Sequence, residues 1–210
     1  MKIALLGGTG KEGQGLALRW AQGGAAVLIG SRESGKAERI AAELNERLGQ
    51  MAVRGAENRQ AAAEAPIVVS TLPHKGHREI LESIREELQG KLLMVATVIW
   101  PPGPLERPSA AEEALAVLGD GVRVVAAFQT VSALALQAIE KEMEEDVLVC
   151  GDAAACQEAI DCMSKAGLRG IKTGPLKHAR IVEAMTALML EINKGYGVKS
   201  AGIRITGLDR

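Results

Sequence analysis

The chain has 210 residues, a formal net charge of −1 and 24% charged side chains, enough for one domain with a proper core. Near-neutral charge and only four aromatic residues (one Phe, one Tyr, two Trp) offer nucleic acid neither a global electrostatic pull nor a stacking platform. No apolar run approaches the ~20 residues of a membrane span, and the N-terminus lacks the tripartite pattern of a secretory leader, so a cytoplasmic protein is expected.

Lys2 to Leu6 is a short apolar run suited to a buried strand, and a glycine-rich turn, Gly7 to Gly15, follows at once. An amphipathic helix carrying Leu16 and Trp20 inward ends at Gly23-Gly24, and a second strand, Ala25 to Ile29, stops at Gly30-Ser31-Arg32. Strand, glycine turn, helix and strand open a dinucleotide-binding unit. In that pattern Gly8 permits the tight turn, Gly10 lets backbone approach a pyrophosphate, and Gly13 lets helix and strand pack closely. The helix N-terminus then offers N–H groups to the phosphates.

Downstream, Ala37, Ile40, Ala41, Leu44 and Leu48 follow the helical period. A weak third strand (Ala52 to Arg54) and a short alanine-rich helix precede a strand from Ile67 to Leu72, and Ile80, Leu81, Ile84 and Leu88 mark one helix face. Leu92 to Ala96 is the fifth strand, and Pro101, Pro102, Pro104 and Pro108 stiffen the loop after it. Ser109 to Glu112 spells a capping box, and Val122 to Ala127 is the sixth strand. A further helix, a strand Val147 to Cys150, a helix through Met163 and a strand near Ile171 continue the alternation. A helix from about Leu176 to Lys194 and a glycine-punctuated, extended tail to Arg210 close the chain. The class is α/β, a doubly wound, mainly parallel sheet of Rossmann type covered on both faces. Residues 1–173 form the dinucleotide domain, and 174–210 a helix and tail completing a second site.

The end of the second strand selects the cofactor. An acidic residue there would receive the ribose hydroxyls and repel a 2′-phosphate. This chain has Ser31 and Arg32 instead, with Lys36 a turn later, a hydroxyl and two cations suited to NADP. Cys150, Cys156 and Cys162 lack metal or redox spacing and read as buried thiols. His74 and His77 lack a third ligand, so no metal is expected, and hydrogen bonding to substrate or solvent is the simpler role. Glu142, Glu144, Glu145 and Asp146 read as a solvated acidic loop. No acid–base or nucleophilic set stands out among these residues.

The chain resembles the NADPH-dependent reductases of the deazaflavin coenzyme F420. The resemblance rests on Ala4 to Gly10, Gly30-Ser31-Arg32, Thr71-Leu72-Pro73, Val149 to Asp152, Gly174-Pro175-Leu176, Arg180 to Glu183 and the tail Gly197 to Ile203. It implies NADP and coenzyme F420 as cofactors, with Thr9, Gly10, Lys11 and Glu12 at the pyrophosphate and Ser31, Arg32 and Lys36 at the 2′-phosphate. Leu72, beside Pro73, would line the path to the nicotinamide with Val98 and Ala133, and Ala201 would touch it. The pattern departs at Gln129, where the family commonly has histidine, at Ser132, at His74 to His77 and at Ile99 to Pro102. All four lie on the expected deazaflavin side, where Gln129 could hydrogen-bond the ring. Two other readings fit the residues alone: an NADP-dependent reductase of a small carbonyl or imine, and a non-catalytic NADP-binding sensor. The apolar surplus of the last helix (Ile181, Val182, Met185, Leu188, Met189, Ile192) predicts a homodimer.

Overall fold

The computed structural model describes residues 1–101 and 103–208; Pro102 of the proline loop and the last two residues of the tail lie outside the described residues. β1 (Lys2–Leu6), β2 (Ala26–Ser31), β3 (Val53–Glu57), β4 (Ile67–Ser70), β5 (Leu92–Val95), β6 (Arg123–Ala126), β7 (Asp146–Gly151) and β8 (Arg169–Lys172) form one sheet in the order β3-β2-β1-β4-β5-β6-β7-β8. The reversal beside β1 is the switch point of a doubly wound sheet. The helices are α1 (Lys11–Gln22), α2 (Ser34–Leu48), α3 (Asn58–Glu64), α4 (His77–Ser83), α5 (Arg85–Leu88), α6 (Ala110–Leu118), α7 (Ala133–Gln137), α8 (Ala153–Ser164) and α9 (Ala179–Tyr196).

Alternation along each strand divides the core in two. Ile3, Leu5, Val27 and Ile29 face α1, α2 and α8, whereas Ala4, Leu6 and Leu28 face α3 to α6 and α9. Trp20 fills the first layer, fully buried, with its ring edge-on to Phe128 at 5.9 Å and its indole N–H donating to the Cys162 carbonyl. Among the described residues no helix is long and apolar enough to cross a membrane.

Several expected boundaries shift for local reasons. β4 ends at Ser70, because Thr71 turns both its N–H and its hydroxyl to the Leu6 carbonyl. β3 runs on to Glu57, with Gly55 so close to α2 that a Cβ would stand 2.2 Å from the Ala37 carbonyl carbon. The helix expected through Leu88 breaks at Ile84 into α4 and α5, and the last helix opens as a 3₁₀ turn, Leu176–His178. β7 lies antiparallel to β6. A parallel return needs a crossover that carries the chain back along the sheet, but α7 has only five residues and packs on α1.

The acidic stretch is not uniformly solvated. Asp146 is 1% exposed. Its Oδ2 accepts from Ile205 N at 2.7 Å, its Oδ1 lies 3.5 Å from Arg169 Nη1, and its own N–H donates to the Ile203 carbonyl. The extended tail therefore lies along the start of β7.

Candidate functional site

The glycines of the first turn divide their work differently from the sequence expectation. Gly7 takes the left-handed conformation (φ 69°) that makes the turn, with its N–H donated to Asn58 Oδ1 at 3.1 Å. Gly8 packs instead. A Cβ there would stand 2.8 Å from the Leu5 carbonyl, and its N–H is shared between the Leu5 and Gly30 carbonyls at 3.1 and 3.0 Å. Gly13 behaves as expected: its Cβ would meet Gly8 Cα at 2.5 Å, so helix and turn touch backbone to backbone. At Gly10 the nearest atom to an added Cβ is 3.8 Å away, leaving open space beside the turn.

That space belongs to a cleft of about 1110 Å³ at the carboxyl ends of β1, β2, β4 and β5. Thr9, Gly10, Lys11, Glu12, Gly13, Ser31, Arg32, Lys36, Leu72, Pro73 and Val98 all line it. The N-cap of α1 is Gly10, and no side chain among the described residues caps that end. Its first N–H groups are left for an acceptor in the cleft.

Glu12 stands in this first turn, where loss of water pushes its carboxyl up to about 8. A shift in this direction lessens the repulsion that the half-buried Glu12 would offer an anion there. Around the rim, Arg32 and Lys36 are exposed and form no salt bridge with any described residue. The Ser31 hydroxyl accepts from Glu33 N at 3.2 Å, which fixes its lone pairs but leaves its proton to donate.

The remaining expected residues lie elsewhere. Gln129 is buried: its Nε2 donates to Val95 O at 2.7 Å and its main-chain carbonyl accepts from Thr186 Oγ1 at 2.8 Å. Its Oε1 has no partner among the described residues. Ala133 begins α7, and Ala201 donates its N–H to Asn193 Oδ1 at 2.9 Å. Neither lines the second concavity of about 950 Å³, but each adjoins in the chain residues that do, Leu134 in the one case and Ser200 and Gly202 in the other. Gly8, Gln129, Ala133 and Ala201 thus fall outside the lining of the first cleft.

The histidines part company. His74 lines the cleft with Nε2 3.1 Å from Glu113 Oε2, whereas His77 is 1% exposed and outside the lining. Burial, then the neighbouring His74, push His77 down to about 4, so it stays neutral.

Sequence reasoning missed Asn58, Thr97 and Glu183. Asn58 also crowds Gly30, whose Cβ would stand 2.6 Å from Asn58 Oδ1, and Thr97 Oγ1 donates to the Leu72 carbonyl at 2.8 Å. Glu183 is a buried carboxylate on α9. It accepts from Ile99 N at 3.3 Å and Ala110 N at 2.7 Å, closing both ends of the proline loop beside Val98. Burial pushes its carboxyl up to about 7, despite those two bonds. Asn58 sits at a helix start and Glu183 within an amphipathic helix, ordinary places that carry no signal of such long-range partners.

The family model described as NADP oxidoreductase, coenzyme F420-dependent, matches residues 2–98. The F420-dependent NADP reductase of Methanothermobacter thermautotrophicus is 40% identical, over 99% of this chain and 96% of its own length. That of Methanocaldococcus jannaschii is 39% identical over the whole of both chains. A solved structure from Arthrobacter sp. FB24, described as an F420-dependent NADP reductase, superposes with a TM-score of 0.82 at 26% identity, covering 98% of this chain and 99% of that one.

Proposed function

The chain belongs to the F420-dependent NADP reductase family, and from that premise we propose that it transfers a hydride between NADP(H) and the deazaflavin coenzyme F420. The observation that carries the NADP half is the pairing, in one cleft, of an uncapped helix N-terminus with a rim where Ser31, Arg32 and Lys36 outnumber the single carboxylate of Glu33. The first suits a pyrophosphate, and the second a 2′-phosphate, each charge-assisted bond contributing about 1.5–3 kcal/mol. Open space at Gly10 and backbone contact at Gly13 fit the close approach such a group requires.

When bound, the nicotinamide and deazaflavin rings supply the hydride chemistry themselves. The residues present the tools for holding and drying the rings. Thr9 to Gly13 would hold the pyrophosphate, while Leu72, Pro73 and Val98 would wall the inner cleft against water. Ala133 and Ala201, beside the second concavity, belong on our reading to the F420 side, which residues 174–210 complete. Gln129 Nε2 gives one N–H to Val95, which leaves its second N–H and its side-chain oxygen, so the amide could donate to a ring carbonyl or accept from a ring N–H.

We also read α9 as an interface with a second copy. Its Ile181, Leu188 and Leu190 are about half exposed and Tyr196 is 82% exposed, an apolar surface that a homodimer would cover. Sedimentation at micromolar concentration should give twice the chain mass; a monomer would refute the interface. The function is tested by mixing protein, NADPH and F420 without oxygen and following loss of the oxidised deazaflavin absorbance. Tight NADPH binding without turnover would sink the proposal.

A further inference from the structure

α1 presents one stripe to α7. Lys11, Gly15 and Arg19 recur every four residues, along one helix face, and at each the two segments are joined through backbone. Gln137 Nε2 donates to the Lys11 carbonyl at 2.7 Å. At Gly15 an added Cβ would stand 2.6 Å from Leu136 Cβ and 3.1 Å from the Leu136 carbonyl carbon.

Arg19 closes the stripe. Its Nε donates to Leu136 O at 3.1 Å, and its Nη2 to the carbonyls of Ala135 (2.9 Å), Ala138 (3.0 Å) and Lys141 (3.1 Å). The residue is 5% exposed, and among the described residues it makes no salt bridge. A guanidinium buried this far ordinarily meets a carboxylate. Here its donors go to four carbonyls at and just beyond the end of α7, two of which, those of Ala135 and Ala138, also accept from the N–H groups of Ala138 and Lys141, and a positive charge is favoured near such a helix end.

The clamped segment begins at a strained point. Phe128 is a non-glycine residue at φ 78°, a conformation that persists only where the surroundings enforce it. Its ring is held by Trp20, the neighbour of Arg19 on α1. Residues 128–141 are therefore fixed at both ends to the helix whose first turn forms the cleft, while the middle, from Gln129 to Ala133, faces the other cofactor on the reading above.

We propose that Arg19 is a positioning residue for hydride transfer, locking the F420-side segment to the NADP helix without touching either cofactor site. The inference rests on the two-cofactor reading. Arg19→Lys cannot reach four carbonyls in that geometry. Gly15→Ala pushes α7 outward while leaving Arg19 intact, so it tests the same spacing by an independent lesion should the first variant fail to fold.

In both variants NADPH affinity should stay within about threefold of wild type, while single-turnover reduction of F420 slows by ~10- to 100-fold, the scale of an ångström-sized misplacement. The isotope effect with NADPH deuterated at the transferred position should rise as hydride transfer becomes limiting. Variants with a lower Tm but an unchanged single-turnover rate and isotope effect below that Tm would overturn the proposal. Wild-type protein that fails to reduce F420 would remove the reading beneath it; wild-type turnover with unaltered variants removes the inference alone.

Discussion

The cleft at the glycine turn and the face that we propose for F420 are built by opposite means. The turn, helix start and rim of the cleft come mostly from residues 7–13 and 31–36, neighbours in the chain that act through backbone amides, missing Cβ atoms and exposed cations. The other side is assembled from distant segments: Gln129 with Thr186 (57 residues apart), Asp146 with Ile205 (59) and Glu183 with Ala110 (73). In each join one partner (Gln129, Asp146 or Glu183) is a buried polar residue. Local chemistry shapes the first region, and long-range satisfaction of buried polar groups holds the second together.

The contrast can be broken by lesions confined to one side. The largest effect is expected at Asp146→Ala, which strands Arg169 and the Ile205 amide. Breaking a buried pair costs about 3 kcal/mol, read as a lower urea midpoint, and the freed tail should raise the KM for F420 while NADPH affinity is kept. Equal loss of both cofactors would mean that the two sides are not separately built.

Arg32→Glu comes next. Exchanging attraction for repulsion at the 2′-phosphate should cost about 2–3 kcal/mol, or roughly 30- to 150-fold in NADPH affinity, with little change for NADH. A matching loss of NADH would show that no phosphate sits there.

Gly13→Ala forces a Cβ against the Gly8 backbone at 2.5 Å. Overpacking of this kind costs ~1–3 kcal/mol, and calorimetric titration should find weaker binding of NADPH and NADH alike. Tight binding by the variant would mean that the turn can yield.

The smallest effect concerns pH. Glu12 holds its proton up to about 8, so its charge appears only as pH rises through that value, and NADPH affinity should fall severalfold between pH 7 and 9. One partly screened charge supplies roughly 1 kcal/mol. Glu12→Gln should flatten that slope; an unchanged slope would assign it to another group.

Much of the cleft was legible because its determinants are adjacent in the chain. Glycines at 7, 8, 10 and 13, a basic rim at 32 and 36, and apolar runs of strand length state their purpose within a few residues. Even there the turn expected of Gly8 falls to Gly7, and Gly8 packs instead, since only the folded backbone decides which glycine bends and which packs. His74 and His77, three residues apart, read as one motif, yet one borders the cleft and the other is buried beneath it.

By itself the sequence determined the α/β class, the first cofactor unit and its phosphate preference, because periodicity and turn chemistry act over a few residues. The antiparallel return of β7, the burial of Asp146 under the tail, the capture of the proline loop by Glu183 and the clamp of Arg19 on α7 were decided by tertiary structure alone. Each depends on which carbonyl or amide, far away in the chain, still has hydrogen-bonding capacity once the sheet has formed.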